Sequence, residues 1–139
     1  MTLFEPVLAA LDAADVRFVV VGGVAVVLHG HPRMTADLDI VIDLAAEPAA
    51  RAIAALVELG MEPRLPVDPQ TFARPDVRRA WRDERNMTVF TMLDPSEPLL
   101  EVDLFAEAPI PFDELWVQAT ILQLEGQDVR IASIDHLIT

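Results

Sequence analysis

Two aspartates, Asp37 and Asp39, lie two residues apart in a stretch where apolar and acidic residues alternate. In a β-strand this spacing places both carboxylates on one face of the sheet, while Leu38 and Ile40 point to the other face. Neighbouring negative charges repel each other, which makes the pair costly in a purely structural role. A divalent cation would offset that cost, so the pair predicts a metal site.

The dipeptide Gly22-Gly23 is a second feature that could take part in chemistry. The β-branched run 19–21 before it favours a strand, and the apolar segment 24–28 after it is predicted to be a helix. Two residues without side chains at the start of a helix let backbone N–H groups approach an anion such as a phosphate. A tight turn between strand and helix would need the same residues, so the dipeptide alone leaves both interpretations open.

Together these features resemble the signature of the nucleotidyltransferase superfamily, which has the DNA polymerase beta fold. Thirteen residues separate Gly23 from Asp37. The segment 33–39, which reads Arg-Met-Thr-Ala-Asp-Leu-Asp, is similar to the motif of AbiEii-type toxin nucleotidyltransferases. The resemblance covers residues 15–105. It implies an α/β (α+β) fold, with a mixed sheet and flanking helices, and a third carboxylate on a later strand.

That later strand is predicted at 99–105, where Glu101 and Asp103 point to the same side. Alone, the pattern would be read as the solvent-facing side of an antiparallel sheet. The resemblance makes Asp103 the third carboxylate, with Glu101 as a nearby alternate. The expected catalytic and metal-binding residues are therefore Asp37, Asp39 and Asp103. The expected cofactor is Mg²⁺ or Mn²⁺, since Mg²⁺ needs only a few carboxylates and keeps several waters.

The expected nucleotide-binding residues are Gly22, Gly23, Arg33 and Thr35. The planar guanidinium of Arg33 matches the geometry of a phosphate, and Thr35 can orient an aspartate through a hydrogen bond. Arg33 would equally well neutralise the two aspartates within the fold, and the sequence does not decide between these roles.

Five of the ten basic residues, all of which are arginine, fall within the predicted helix 71–85. They are Arg74, Arg78, Arg79, Arg82 and Arg85. Three acidic residues in the segment dilute this charge. One interpretation is a solvated amphipathic helix with internal ion pairs. The other is a positive edge that holds substrate phosphates or an acceptor macromolecule.

Apolar periodicity predicts the other elements that position these residues. Helices are predicted at 4–14, 47–59 and 112–117, and strands at 16–21, 37–43, 87–93, 121–124 and 129–131. A proline-rich link is predicted at 61–69, and a last helix begins after Ser133. In similar proteins that helix continues to a basic residue. None is present here, so either the C-terminal helix is truncated or this is a minimal form.

The composition bounds the class of protein. With 139 residues, 53% hydrophobic and a mean hydropathy of +0.34, the chain is expected to form one domain over 1–139. A net charge of −13 argues against a wide basic surface for duplex nucleic acid and suits metal-assisted handling of a small anion. The sequence has no Cys and no Lys, which excludes disulfides and lysine-dependent chemistry. No signal-like start and no long apolar span is present, so we expect a cytoplasmic protein without membrane contact.

The function implied by the resemblance is metal-dependent transfer of a nucleoside monophosphate from a nucleoside triphosphate to a hydroxyl-type acceptor. The acceptor is expected to be RNA or protein, and an antitoxin or cognate partner protein is expected to accompany the enzyme. The alternative is a non-catalytic nucleotide-sensing or antitoxin-like module on the same fold. The three acids favour the enzyme, and the missing C-terminal basic residue favours the alternative.

Overall fold

The computed structural model describes residues 4–29, 37–124 and 126–137. Its helices are α1 (Glu5–Ala13), α2 (Gly22–Leu28), α3 (Ala46–Glu58), α4 (Pro75–Arg85), α5 (Phe112–Gln118) and α6 (Ile134–Leu137), and a 3-10 helix (Pro69–Ala73) precedes α4. Its strands are β1 (Phe18–Val21), β2 (Asp37–Ile42), β3 (Glu62–Pro63), β4 (Val89–Asp94), β5 (Glu97–Phe105), β6 (Thr120–Leu124) and β7 (Gln127–Ile131). Strands and helices are therefore interspersed along the chain.

These strands form one seven-stranded sheet in the order β3-β4-β5-β2-β1-β7-β6. β2 is parallel to β5 and β1 is parallel to β7, whereas the other neighbouring strands are antiparallel. The predicted fold class, a mixed sheet with flanking helices, is confirmed. Parallel neighbours need a long connection, and the connection between β2 and β5 contains α3, β3, the 3-10 helix, α4 and β4.

One face of the sheet carries the larger apolar core. α1 and α3 cover this face with stripes of apolar residues spaced three or four apart, as expected for amphipathic helices. The fully buried members include Val7 and Leu11 of α1, Leu38 and Ile40 of β2, Ile53 and Leu56 of α3, and Val102 and Leu104 of β5. This core holds β2 and β5 in place from one side.

The opposite face has a smaller apolar cluster. Val19, Val21 and Val41 pack there against Leu115 of α5 and Ala132. This cluster covers β1 and the C-terminal part of β2. The N-terminal part of β2 and the adjacent part of β5 carry acidic side chains that are only half-buried.

The segment 71–85 differs from the single helix predicted for it. The 3-10 helix ends at Ala73, Arg74 is extended, and α4 begins at Pro75. Proline lacks a backbone N–H and disfavours the helical conformation of the residue before it, so one helix cannot pass through Pro75. The Asp68 side chain accepts a hydrogen bond of 2.9 Å from the backbone N–H of Gln70 and so begins the 3-10 helix.

Two smaller differences concern the ends of elements. α2 begins at Gly22, two residues before the predicted helix. The proline-rich link contains β3, a two-residue edge strand, where Pro63 is tolerated because its missing donor leaves no ladder partner unpaired. Among the helices of the described ranges, none has the length and apolarity needed to cross a membrane.

Candidate active site

The acidic side chains of β2 and β5 lie side by side on one face of the sheet. In the parallel register Asp39 is opposite Asp103 and Asp37 is opposite Glu101. Side chains two positions apart on a strand share a face, so the four carboxylates form two neighbouring pairs. The structure thus brings the three predicted acids together. It also places Glu101, the alternate, beside Asp37.

The crowding of these carboxylates alters their proton affinity. Burial, followed by the charge of Asp103 and a hydrogen bond with it, raises the pKa of Asp39 to about 7. Burial and the charge of Glu101 raise the pKa of Asp37. A carboxyl group that keeps its proton at higher pH is one whose negative charge is poorly compensated. Burial and the neighbouring carboxylates in the described part of the chain therefore disfavour the charged forms of Asp37 and Asp39.

Gly22 lies directly against the Asp39 carboxylate. A Cβ atom added to Gly22 would collide with Oδ2 of Asp39 and lie 3.0 Å from its Cγ. Gly22 also has a φ angle of +70°, in the left-handed region that favours glycine. Any larger residue at this position would have to displace Asp39. The close backbone approach predicted at the glycine dipeptide is present, and the group it approaches in the described structure is a carboxylate.

A cleft of about 510 Å³ opens beside Asp39 and the two glycines. Its wall is mostly apolar, and among the described residues the ionisable side chains that line it are Asp39 and His136. Clefts of this size with a few convergent polar groups are typical of small-molecule sites. A larger cleft of about 620 Å³ lies between α1 and α3 and is lined mainly by alanines. It contains none of the paired acids, so the smaller cleft is the better candidate.

Two side chains outside β2 and β5 hold the acids in place. Thr91 of β4 donates a hydrogen bond from Oγ1 to Oδ1 of Asp103 at 2.6 Å. Arg64, which follows β3, donates from Nη2 to Oε1 of Glu101 at 2.8 Å. Sequence reasoning missed both residues, and it also missed His136 as part of the cleft.

The arginine-rich segment does not present all its charges at one edge. Arg78 is only 6% exposed and donates hydrogen bonds to the carbonyl oxygens of Phe72 and Leu44. Burial lowers its pKa from the usual value. The ion pairs of the segment join Arg74 to Asp76, and Arg82 to Asp83 and Glu107. Arg78 therefore has a structural role, and the paired arginines fit the interpretation of a solvated helix with ion pairs.

Two of the predicted nucleotide-binding residues, Arg33 and Thr35, lie outside the described residues. The described chain stops at His29 just before them and resumes at Asp37. His29 Nε2 lies 2.9 Å from the carbonyl oxygen of Ala132, and since a carbonyl only accepts, Nε2 is the donor. This hydrogen bond ties the C-terminal end of α2 to the residues that precede α6.

The chemistry of the acids fits Mg²⁺. Carboxylate oxygens are the ligands that Mg²⁺ and Mn²⁺ prefer. Within the described ranges, no group of three or more Asp, Glu, His or Cys side chains is arranged to hold a metal ion, so the acids of β2 and β5 form an open arrangement. An open arrangement suits Mg²⁺, which usually takes one or two carboxylates and completes its coordination with waters and substrate phosphates. The raised pKa of Asp39 indicates that a positive charge would be favourable here.

Comparison with solved structures places this fold among nucleotidyltransferases. The candidate nucleotidyltransferase TM1012 from Thermotoga maritima is similar with a TM-score of 0.63 and 13% identity, over 98% of this chain and 78% of that one. Two structures of the antibiotic-resistance factor ANT(2'')-Ia are similar with TM-scores of 0.57 and 0.58 at 19% and 20% identity. Each covers 99% of this chain, and they are matched over 66% and 71% of their own length. At these identities the likeness shows the fold.

The family is shown by the sequence itself. A model of the family described as nucleotidyl transferase AbiEii toxin, type IV TA system, matches residues 7–139. The chain therefore belongs to the AbiEii family and is a nucleotidyltransferase. The resemblance drawn from Gly22-Gly23 and from the motif 33–39 is confirmed at both the superfamily and the family level. A search of curated protein sequences gives no significant match.

Proposed function

We propose that this enzyme transfers a nucleoside monophosphate from a nucleoside triphosphate to a hydroxyl acceptor and requires Mg²⁺ or Mn²⁺. The observation that carries the proposal is the in-register pairing of Asp39 with Asp103, with Gly22 against the Asp39 carboxylate. Asp39, with carboxylates as its neighbours on β2 and β5, lines a largely apolar cleft. A cation and an anionic substrate would complement that arrangement together.

Asp37, Asp39 and Asp103 are the proposed metal ligands. Asp39 has Asp37 as its neighbour along β2 and Asp103 as its neighbour on β5, so it is central among the three. Glu101 is engaged by Arg64, which makes it a weaker candidate. When bound, Mg²⁺ would supply charge that stabilises the phosphates and makes the acceptor hydroxyl more acidic.

The cleft beside α2 is the proposed nucleotide site. Gly22 and Gly23 line it without side chains, so backbone groups can approach phosphate oxygens. Arg33 and Thr35 are proposed to contact the nucleotide from the adjoining segment. The dipole of a helix contributes about 1 kcal/mol at most at an exposed end. That is too little to hold a nucleoside triphosphate on a chain of net charge −13, so binding is expected to depend on the cation.

The proposed reaction is a displacement at the α-phosphorus. The acceptor oxygen forms a bond to that phosphorus, and the bond to the bridging oxygen of pyrophosphate breaks. The hydroxyl proton passes to a carboxylate, and pyrophosphate leaves with its negative charge. Asp103 is the proposed proton acceptor, because it is a half-buried carboxylate adjacent to Asp39 on the neighbouring strand.

The proposed acceptor is a hydroxyl group of RNA or protein. The family is described as the nucleotidyltransferase toxin of a toxin–antitoxin system, which favours a component of the cell as the acceptor. One ANT(2'')-Ia structure is a complex with adenylyl-2''-tobramycin, an adenylylated small molecule. A net charge of −13 disfavours long duplexes as acceptors here. A cognate antitoxin is the proposed partner and the cytoplasm the proposed location.

The test is incubation of the purified protein with each α-labelled nucleoside triphosphate and a cell lysate, in Mg²⁺ and in EDTA. Labelled RNA or protein is expected only in Mg²⁺. Asp39→Asn is expected to lower transfer about 100-fold or more, as for loss of a group that stabilises charge in the transition state. Asp12→Asn makes the same change at an exposed site on α1 and should transfer normally.

Equal transfer in EDTA would overturn the metal requirement. Binding of a nucleoside triphosphate in Mg²⁺, measured by calorimetry, without transfer to any lysate component would instead favour the nucleotide-sensing alternative.

A further inference from the structure

Thr91 lies directly opposite Asp103 in the antiparallel pairing of β4 with β5. Directly opposite residues point to the same face of the sheet, with Cβ atoms about 4.5–5.5 Å apart. On its other side Asp103 is opposite Asp39 in the parallel pairing with β2. Asp103 is therefore flanked by a hydroxyl on one side and by a carboxylate on the other.

The hydroxyl of Thr91 restrains the orientation of the Asp103 carboxylate. It donates a hydrogen bond of 2.6 Å to Oδ1 of Asp103, and a threonine hydroxyl has only one proton to donate. When Asp39 loses its proton, the hydrogen bond between the two acids is lost and their repulsion favours rotation of the Asp103 carboxylate away from its neighbour. The hydrogen bond opposes this rotation by fixing one of the two carboxylate oxygens.

The position of Thr91 is itself fixed by the sheet and the core. Its carbonyl oxygen accepts a hydrogen bond of 2.9 Å from the backbone N–H of Arg64. The residues on either side of it, Phe90 and Met92, are almost fully buried. Phe90 stacks on the rings of Phe72 and Trp81, with centroids 5.2 and 5.3 Å away. Thr91 is thus a hydrogen-bond donor on a rigid strand.

We propose that Thr91 is a positioning residue, whose hydroxyl orients the Asp103 carboxylate toward the cation and the acceptor hydroxyl. This inference rests on the function proposed above. Thr91 acts through Asp103 and is not expected to contact the nucleotide. Removal of a hydrogen-bond partner that orients a metal ligand typically lowers metal affinity or activity about 10–100-fold.

The test compares Thr91→Val with Thr91→Ser. Valine has nearly the same shape and is favoured in strands, but it lacks the donor. Serine retains the hydroxyl. Titration calorimetry with Mn²⁺ is expected to show about 10-fold weaker binding in Thr91→Val and near-normal binding in Thr91→Ser. Thr88→Val makes the same exchange at an exposed position just before β4 and should bind Mn²⁺ normally.

Thermal unfolding separates positioning from a general structural role. In EDTA, Thr91→Val is expected to keep a melting temperature close to that of the wild type. Addition of Mn²⁺ should raise the melting temperature of Thr91→Val by less than it raises that of the wild type. Should Thr91→Val not fold, Thr91→Ala removes the same donor with less crowding and gives the same comparison. Wild-type Mn²⁺ affinity in a folded variant without the hydroxyl would overturn the inference. Absence of Mn²⁺ binding in the wild type would overturn the proposed function as well.

Discussion

The two faces of β2 and β5 share one backbone register but differ in chemistry. On one face Leu38 is opposite Val102 and Ile40 is opposite Leu104, and all four are fully buried. On the other face Asp37 is opposite Glu101 and Asp39 is opposite Asp103, and all four are half-buried. The apolar and acidic pairs alternate along the same two strands.

This contrast shows how a repulsive cluster persists in a stable fold. Each Å² of apolar surface removed from water contributes about 25 cal/mol, and the apolar pairs lie in the larger core. The acidic pairs repel each other and lower stability in the absence of a cation. Burial on one face therefore holds together two strands whose other face is suited to binding a cation.

The largest effect on stability is expected from Leu38→Ala, which alters the apolar face. The side chain of Leu38 is fully buried, and large-to-small exchanges at such sites lower the free energy of unfolding by about 2–5 kcal/mol. Asp39→Asn, at the next residue and on the other face, should leave the free energy of unfolding in EDTA unchanged or higher, because it removes a repulsion. Urea unfolding in EDTA measures both. A loss in Asp39→Asn as large as that in Leu38→Ala would show that the acid stabilises the fold.

An intermediate effect is expected where the backbone approaches the acidic face. Gly22→Ala should lower the free energy of unfolding through its positive φ and by a further amount of about 1–3 kcal/mol from the collision with Asp39. Gly60→Ala is the matched control, since Gly60 has a φ of +96° and an added Cβ would meet nothing within 4 Å. Urea unfolding of both variants measures the two losses in free energy of unfolding, and their difference gives the cost of the collision.

The same comparison can be extended by a double variant. When Asp39→Ala is combined with Gly22→Ala, the extra cost of the collision should disappear, because the carboxylate that the new Cβ meets is gone. Equal losses in Gly22→Ala and Gly60→Ala would mean that Asp39 can move aside freely and that Gly22 does not fix its position.

The smallest effect is expected from a change of pH, which alters the charge of the acidic face without replacing a side chain. The pKa of Asp39 is raised to about 7, whereas in the unfolded chain an aspartate has a pKa of about 3.9. Between these values the folded protein holds a proton that the unfolded chain has released, so stability falls as pH rises through this window. The raised pKa of Asp37 acts in the same direction.

In EDTA we therefore expect a lower melting temperature at pH 7.5 than at pH 5. With allowance for solvent screening the loss is about 1 kcal/mol, or about 4 °C. Saturating Mn²⁺ should reverse it. Asp43, whose pKa is lowered by its hydrogen bond with Arg17, loses its contribution only at lower pH. If Asp39→Asn shows the same decrease between pH 5 and 7.5, another group is responsible.

The sequence was sufficient for features that depend on local spacing. Asp37 and Asp39 share a face because side chains alternate along any strand. The same rule predicted that Glu101 and Asp103 point to the same side of their strand. The close approach at Gly22 was foreseen from the absence of a side chain. The group that it meets was not, because that depends on how β1 and β2 pair.

The supporting side chains could not be read from the sequence for a specific reason. The pairing of β4 with β5 shifts register between Leu93 and Asp94, so the residue opposite Asp103 cannot be found by counting back from the turn. Arg64 follows β3 and contacts Glu101 of β5, and this contact can be predicted only when the order of strands in the sheet is known. Arg78 was expected at the surface because arginines rarely lack exposure. Its burial depends on the carbonyl groups of Phe72 and Leu44, which come from other segments.

The parallel pairing of β2 with β5 has a consequence for how the protein becomes active. These strands are remote in the chain, and contacts between remote residues form slowly because a long loop must close first. During synthesis β2 and Gly22 are complete well before β5 has been made. A nascent or partly folded chain therefore lacks the Asp39–Asp103 pair altogether. Activity proposed for this site should consequently arise only after the long-range contacts of folding have formed.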